Sequence, residues 1–419
     1  MYGLLREGLA GISLRRPQGG RRGIPSTVLL LGLTSMFTDV SSEMVTAILP
    51  LYMLFQQQAT VVQFGLVDGL YQGASAVFRI LTGFLADRHG RAKEIATSGY
   101  GLSMLTRLGM IAGPSAPVLA GLIAVDRFGK GIRTAPRDAL ISMSSDEESL
   151  GASFGLHRAL DTVGAMLGPV LAFAILWVAP RRFDAVFVAS LSFAVIGVAF
   201  IGIFVRNPEQ HAKPAIVESV QVSVRTLLQV PRFPLILGMS TLLSFFTISD
   251  AFVYLLLQRT TGLGLTFFPL LFVGTSTVYF LLAFPLGGLA DKVGRVQTFL
   301  VGQVLLLGVY AVLFAAPISG VVTMAAALTL FGLFYACTDG VLAAATSEVI
   351  PAAVRTSGLS LVGTATAVAK LGSSVVFGLL WSWQGPTFAL TWFAVGLVIS
   401  TLGAVLAFRR ARGTDAATA

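Results

Sequence analysis

Twelve long apolar runs follow one another along the 419 residues, near 27–55, 61–86, 95–112, 117–135, 152–177, 183–205, 233–257, 266–290, 298–315, 320–345, 357–381 and 387–408. Polar and charged positions gather in the gaps. A bilayer core is spanned by roughly 20 apolar residues of helix, and by only about half that number in a tilted β-strand. Backbone groups in lipid must also find partners within their own segment. Each run is therefore expected to be a transmembrane helix. The fourth is the least regular, because charges interrupt it.

Composition points the same way. The residues AVILMFWYC make up 55% of the chain and charged residues 12%, against about 25% charged in soluble domains. A soluble globule would leave too much apolar surface in water. Disorder, coiled coil and collagen are excluded on the same ground. Cys337 is the single cysteine, so no intrachain disulfide can form. Three scattered histidines and one cysteine offer no ligand cluster, so neither a metal nor another cofactor is expected.

The net charge of +9 is explained by its placement. With the N-terminus inside, 19 of the 29 Lys and Arg residues fall on inner loops and tails. Three, Arg181, Arg182 and Arg259, fall outside, and 7 lie within helices. This bias predicts a multi-pass plasma-membrane protein with both termini in the cytoplasm. The basic charge then serves orientation in the lipid bilayer, and no nucleic-acid partner is implied. The first apolar run is too long for a cleavable signal and is followed by eleven more.

An internal repeat organises the runs. Gly83-Phe-Leu-Ala-Asp87-Arg88-His-Gly90-Arg91 recurs 204 positions later as Gly287-Gly-Leu-Ala-Asp291-Lys-Val-Gly294-Arg295. Asp138 and Glu147 recur 201 positions later as Asp339 and Glu348. The expected organisation is a basic segment 1–24, a six-helix bundle 25–205, a proline-bearing cytoplasmic linker 206–232, a second six-helix bundle 233–409 and a tail 410–419.

Twelve helices with a doubled Gly-x-Leu-Ala-Asp-[Arg/Lys]-x-Gly-Arg loop resemble the major facilitator superfamily of secondary transporters over essentially the whole chain. The resemblance implies an all-α fold of two pseudo-symmetric six-helix bundles, usually working as a monomer. It assigns Gly83, Asp87, Arg88, Gly90 and Arg91, with Asp291, Gly294 and Arg295, to a conformational latch. Gly155, Gly164, Gly168 and Pro169 in the fifth run are similar to the signature of drug/proton antiporters, although Ala172-Phe173 stands where small residues end that pattern. A plain small-residue packing face is the other reading. In the fourth run, Arg127 matches the buried cation that tunes a carboxylate in proton antiporters. Lys130 stands where that family carries glutamine.

The charges buried in apolar runs are the candidates for chemistry, because an acid at membrane depth is costly. Asp39 and Glu43 are four apart on one helical face, and two carboxylates so close disfavour double ionisation. They are either proton carriers or static bridges to Arg127, Lys130 or Arg158. Asp126 and Lys130 have the spacing of a helical ion pair. Arg158 and Asp161, three apart, join the proton-coupling set, while His157, four before Asp161, either shares a proton with it or sits solvated at a cytoplasmic helix end. Arg79, Arg107 and Asp68 are further intramembrane charges. A substrate cavity is sketched from Lys130, Phe37, Tyr71, Phe246, Asp250, Tyr254 and Lys370, with Tyr279 and Tyr335 among the further aromatics. Lys370 is expected to pair with Asp250 or to bind an anionic group.

These readings converge on a proton-coupled exporter of a small amphipathic compound working by alternating access. A proton-symport importer is the alternative. A membrane enzyme is remote, since His-Glu-x-x-His and a P-loop are missing, and the one Gly-x-Ser-x-Gly match, Gly151–Gly155, opens the apolar fifth run with no strand before it.

Overall fold

The computed structural model describes residues 25–89, 92–146, 149–205, 224–315, 320–351 and 354–418, with the backbone alone described for 79–89, 356 and 412–418. The apolar runs form helices: α1 (Ser26–Gln56), α2 (Val61–His89), α3 (Ala92–Ile111), α4 (Ala116–Ser144), α5 (Leu150–Val178) and α6 (Phe183–Phe204). The second set comprises α7 (Phe233–Thr261), α8 (Leu265–Val293), α9 (Arg295–Phe314), α10 (Gly320–Val349), α11 (Arg355–Gln384) and α12 (Pro386–Thr418). No strand occurs among the described residues. Nine of these helices are long and apolar enough to cross a membrane. The three that are not are α2, α3 and α4. In α4 the cause is plain: a single helix runs through Asp126, Arg127, Lys130, Arg133, Arg137 and Asp138.

Packing divides the chain into two compact units, Met1–Tyr52 with Val77–Ala212, and Met53–Ala76 with Lys213–Ala419. In the first unit α1 packs on α5 and α6, and α3 on α4 and α6. Small residues set these distances. A Cβ added to Gly99 would lie 2.7 Å from the Gly129 carbonyl, and one added to Gly129 would lie 2.7 Å from that of Gly99. Reciprocal glycines thus let the α3 and α4 backbones touch.

In the second unit α10 packs on α8 and α9, and α11 lies on the first half of α7. The opening half of α2 belongs here too: a Cβ at Gly65, Gly69 or Gly73 would come within 2.7–2.8 Å of α11 carbonyls. Two helices are interrupted. α7 breaks after Phe245 and restarts at Asp250. The Tyr310 hydroxyl donates to the Phe246 carbonyl at 2.8 Å and accepts from the Ile248 N–H at 2.9 Å, so the freed backbone groups keep partners. α10 breaks at Asp339–Gly340, where Gly340 takes φ +77°, a left-handed conformation that glycine adopts without strain.

Candidate functional site

Helical spacing builds the first unit's site. Met36, Asp39 and Glu43 share one face of α1, and Asp161, Gly164 and Gly168 share one face of α5. The two faces meet. A Cβ on Gly164 would collide with the Met36 carbonyl, and one on Gly168 would lie 2.7 Å from Glu43 Cβ and 2.9 Å from the Val40 carbonyl. This close approach brings the Asp161 carboxyl into electrostatic reach of that of Asp39.

Around them stand cations from α4. The charge of Lys130 acts on both Asp39 and Glu43. Arg133 lies 3.7 Å from Asp39 and 4.4 Å over the Tyr100 ring. It is 3% exposed, and its Nη1 has no hydrogen-bond partner among the described residues. The Asp39–Arg133 contact is therefore long, and Arg133 keeps a donor to spare.

A second, tighter group lies on the same face of α4. Asp126 accepts from Arg107 at 3.0 Å and from Arg127 Nε at 3.0 Å, all three residues being at most 3% exposed. Arg107 also donates to Ser42 at 3.2 Å and to Ser41 at 3.4 Å. Asp126 thus turns to two guanidinium groups, which satisfy both its oxygens, and the Asp126–Lys130 pair expected from spacing gives way. Arg127, too, is spent chiefly on its neighbour Asp126, although its charge still reaches Glu43.

Other expected residues fall elsewhere. His157 is 5% exposed and bonds Ser35 Oγ at 3.0 Å. It is not solvated at a helix end, because α1 covers it. The Arg158 side chain is 82% exposed and lies 3.9 Å from Asp161, outside the buried cluster. Gly155 has open space where a Cβ would stand, unlike Gly164 and Gly168, and Pro169 is buried in α5. Phe37 stacks with Phe193 and Phe200 of α6, and Phe246 packs on Phe245 and Phe393. Both rings serve packing and line no described cavity. In apolar helices a ring gains more from other rings than from a polar hollow.

Of the two latch copies, the second is described in full. Arg295 pairs with Asp291 at 3.0 Å and Glu348 at 3.6 Å, and donates to the Ala344 carbonyl at 3.3 Å. Gly294, at φ +116°, makes the turn from α8 to α9. In the first copy, Gly83, Asp87 and Arg88 are described by backbone alone, as is Arg79, while Gly90 and Arg91 lie outside the described residues, as does Glu147.

The second unit holds a cavity of about 180 Å³, walled by Tyr254, Phe272, Tyr279 and Tyr335 and edged by Asp250 and Asp339. Thr275 and Ser276 add hydroxyls. Each acid is held by a phenol: Tyr335 donates to Asp250, and Tyr279 donates to Asp339 at 3.1 Å. Lys370 of α11 exerts its charge on Asp250 without lining the cavity. Asp68, 4% exposed on α2, accepts from Ser374 of α11 at 2.7 Å. Of the residues sketched for a substrate cavity, Asp250 and Tyr254 line this one. Lys130 belongs to the first unit's cluster, and Tyr71 sits half-buried on α2, away from the lining.

Arg133 was missed as a site residue, and Arg107 had no role assigned. Arg133 was findable: positions 126, 130 and 133 repeat at helical spacing on one face. Arg107 comes from another helix, and its pairing with Asp126 had no sequence signal.

Comparison with known proteins completes the picture. A family model of the Major Facilitator Superfamily matches residues 31–268. An uncharacterized MFS-type transporter of Methanocaldococcus jannaschii is 30% identical over 402 residues, covering 93% of this chain and 97% of that one. An uncharacterized Mycobacterium tuberculosis protein is 36% identical over 146 residues, 34% of this chain and 35% of its own. Among solved structures, the nucleoside transporter NupG aligns with TM-score 0.75 at 16% identity, over 91% of this chain and 99% of that one. The peptide transporter POT aligns with TM-score 0.75 at 15% identity, over 96% and 98%. At such identities the structures speak for the fold alone.

Proposed function

The chain belongs to the Major Facilitator Superfamily of membrane transporters, and we propose that it exports a small amphipathic compound in exchange for protons by alternating access. The observation that carries the proposal is the meeting of Asp39 and Asp161 beside Lys130 and Arg133. With one proton shared between the two acids, Asp39 has little need of Arg133, which accounts for the 3.7 Å contact and the spare Nη1. When the proton leaves, two negative charges remain side by side. Repulsion drives Asp39 toward Arg133 and Lys130, and α1 shifts against α5 and α4. Loading and unloading therefore favour different arrangements of the first unit, which is what coupling requires.

Glu43, one turn along and within the field of Lys130, is the second acid of the set. The exchange direction is supported by the Gly164-x3-Gly168-Pro169 face of α5, which seats the acid-bearing face of α1. The basic inner loops support a plasma-membrane location with both termini cytoplasmic. The second latch copy, tied through Arg295 to Asp291 and Glu348, is proposed to break and re-form as access alternates.

The test uses everted membrane vesicles acidified inside and loaded with acridine orange. A panel of small amines, carboxylates and sugars is added in turn. At least one class should dequench the dye through the wild-type protein as protons leave the lumen. Asp39→Asn and Asp161→Asn should abolish that signal. Dequenching retained in both variants, or elicited by no class, would overturn the proposal, and deeper quenching in its place would mean symport.

A further inference from the structure

We propose that the cavity of the second unit is a binding site for an organic cation, an ammonium group attached to a single ring or a chain of similar bulk. This deepens the transport reading, and rests on it only for the step from bound ligand to cargo.

Charge comes first. The cavity is edged by two carboxyls, Asp250 and Asp339, and no lysine or arginine lines it. Lys370 acts on Asp250 without lining the cavity, which leaves Asp339 the acid with no cation to answer it among the described ion pairs. Asp339 follows directly on the half-helix Gly320–Thr338, and its own N–H bonds back to the Tyr335 carbonyl at 2.8 Å. The C-terminal end of a helix carries negative partial charge. A carboxylate placed there deepens that potential, and a cation relieves both.

The walls match the same ligand. Tyr254 and Phe272 meet edge to face, with centroids 4.5 Å apart, and Tyr279 and Tyr335 do so at 6.5 Å. Rings in such pairs present faces as well as edges, and an aromatic face attracts a cation within about 6 Å of its centroid. The Tyr279 and Tyr335 hydroxyls are already donating to the acids. They fix the carboxylates and offer no donor to a second anion. An anionic ligand would meet two acids, with the Tyr279 and Tyr335 hydroxyls already engaged.

Size and topology complete the case. An apolar cavity of about 150 Å³ accepts benzene, so the cavity of about 180 Å³ has room for one ring and a short amine. Its two acids flank helix interruptions, Asp250 opening the second half of α7 and Asp339 closing the first half of α10. Broken helices commonly form the binding sites of secondary transporters.

Benzylamine, benzyl alcohol and phenylacetate present one ring with a positive, neutral or negative head. Their equilibrium binding to the purified full-length protein in detergent, without any gradient, is measured by calorimetry. Benzylamine should bind, benzyl alcohol about tenfold more weakly or worse, as expected when a charged hydrogen bond is lost, and phenylacetate not at all. Asp339→Asn should cost benzylamine a similar factor, and Tyr279→Phe a smaller one, with the melting temperature confirming that both variants fold. Equal binding of the amine and the alcohol, amine binding undiminished in Asp339→Asn, or no amine binding would overturn the assignment. Dequenching by other compounds would then still support proton exchange. Amine binding without any dequenching would retain the site and remove the exchanger.

Discussion

The two units use acids in opposite ways. In the first, Asp39, Glu43, Asp126 and Asp161 are set among Arg107, Arg127, Lys130 and Arg133. Four acids against four bases leave the cluster balanced, so one proton more or less decides its net charge. In the second, Asp250 and Asp339 are held by neutral phenols beside open space. A charge-balanced cluster, with Asp126 and its arginines buried and Asp39 and Asp161 half-buried, suits the storage and release of a proton. Acids oriented by tyrosines around a hollow suit a ligand that brings its own positive charge. The repeat that relates the units in sequence keeps the latch and the helix order, and the buried chemistry has diverged on top of it.

The strongest way to break this comparison is to open the closed cluster. Arg107→Met removes the guanidinium that holds Asp126 at 3.0 Å and also ties Ser41 and Ser42 to α3. Breaking one side of a buried ion pair costs about 3–5 kcal/mol. Thermal unfolding of the purified protein should show that loss, and a change below about 1 kcal/mol, the scale of an exposed pair, would mean that the cluster is wet. The matching change in the second unit is Tyr335→Phe, which takes the hydroxyl from Asp250. Here the cavity offers water as a substitute, so the expected cost is that of an ordinary hydrogen bond, about 0.5–1.5 kcal/mol, by the same measurement. A loss as large as that of Arg107→Met would show the second site to be as closed as the first.

Much of this architecture was legible in the sequence, and the physics says which part. Twelve helices follow from run length, because lipid permits hardly any other backbone solution. The α1–α5 seam was visible as Gly164 and Gly168 at helical spacing, and Asp39 with Glu43 as one face. What the sequence hides is which helix faces which. Nothing local announces that Arg107 of α3 would take Asp126 away from Lys130, or that Ser35 of α1 would cover His157. The cavity suffered most. Asp250 and Tyr254 line a cavity, but Phe37 and Phe246 have the same composition signal and turn to other rings. Tyr279 and Tyr335 were visible as aromatics, but their hydroxyl bonds to acids 60 and 85 positions away were not.

The smallest effect expected sharpens the boundary of the proton site. Arg158 has the right spacing for Asp161 and was grouped with the coupling residues on that ground. Its side chain is 82% exposed and its contact is 3.9 Å long, whereas Arg133, 3% exposed, has no such freedom. An exposed pair at that distance contributes about 0–1 kcal/mol, and Asp161 stays in electrostatic reach of Asp39 whether or not Arg158 is charged. Arg158→Gln should therefore leave the melting temperature and the compound-induced dequenching close to wild type, while Arg133→Gln abolishes the dequenching. Should Arg158→Gln instead remove the exchange, the proton site would extend past the buried α1–α5 seam to the open face of α5. The contrast between a charge-paired first site and a phenol-held second one would then fail at its edge.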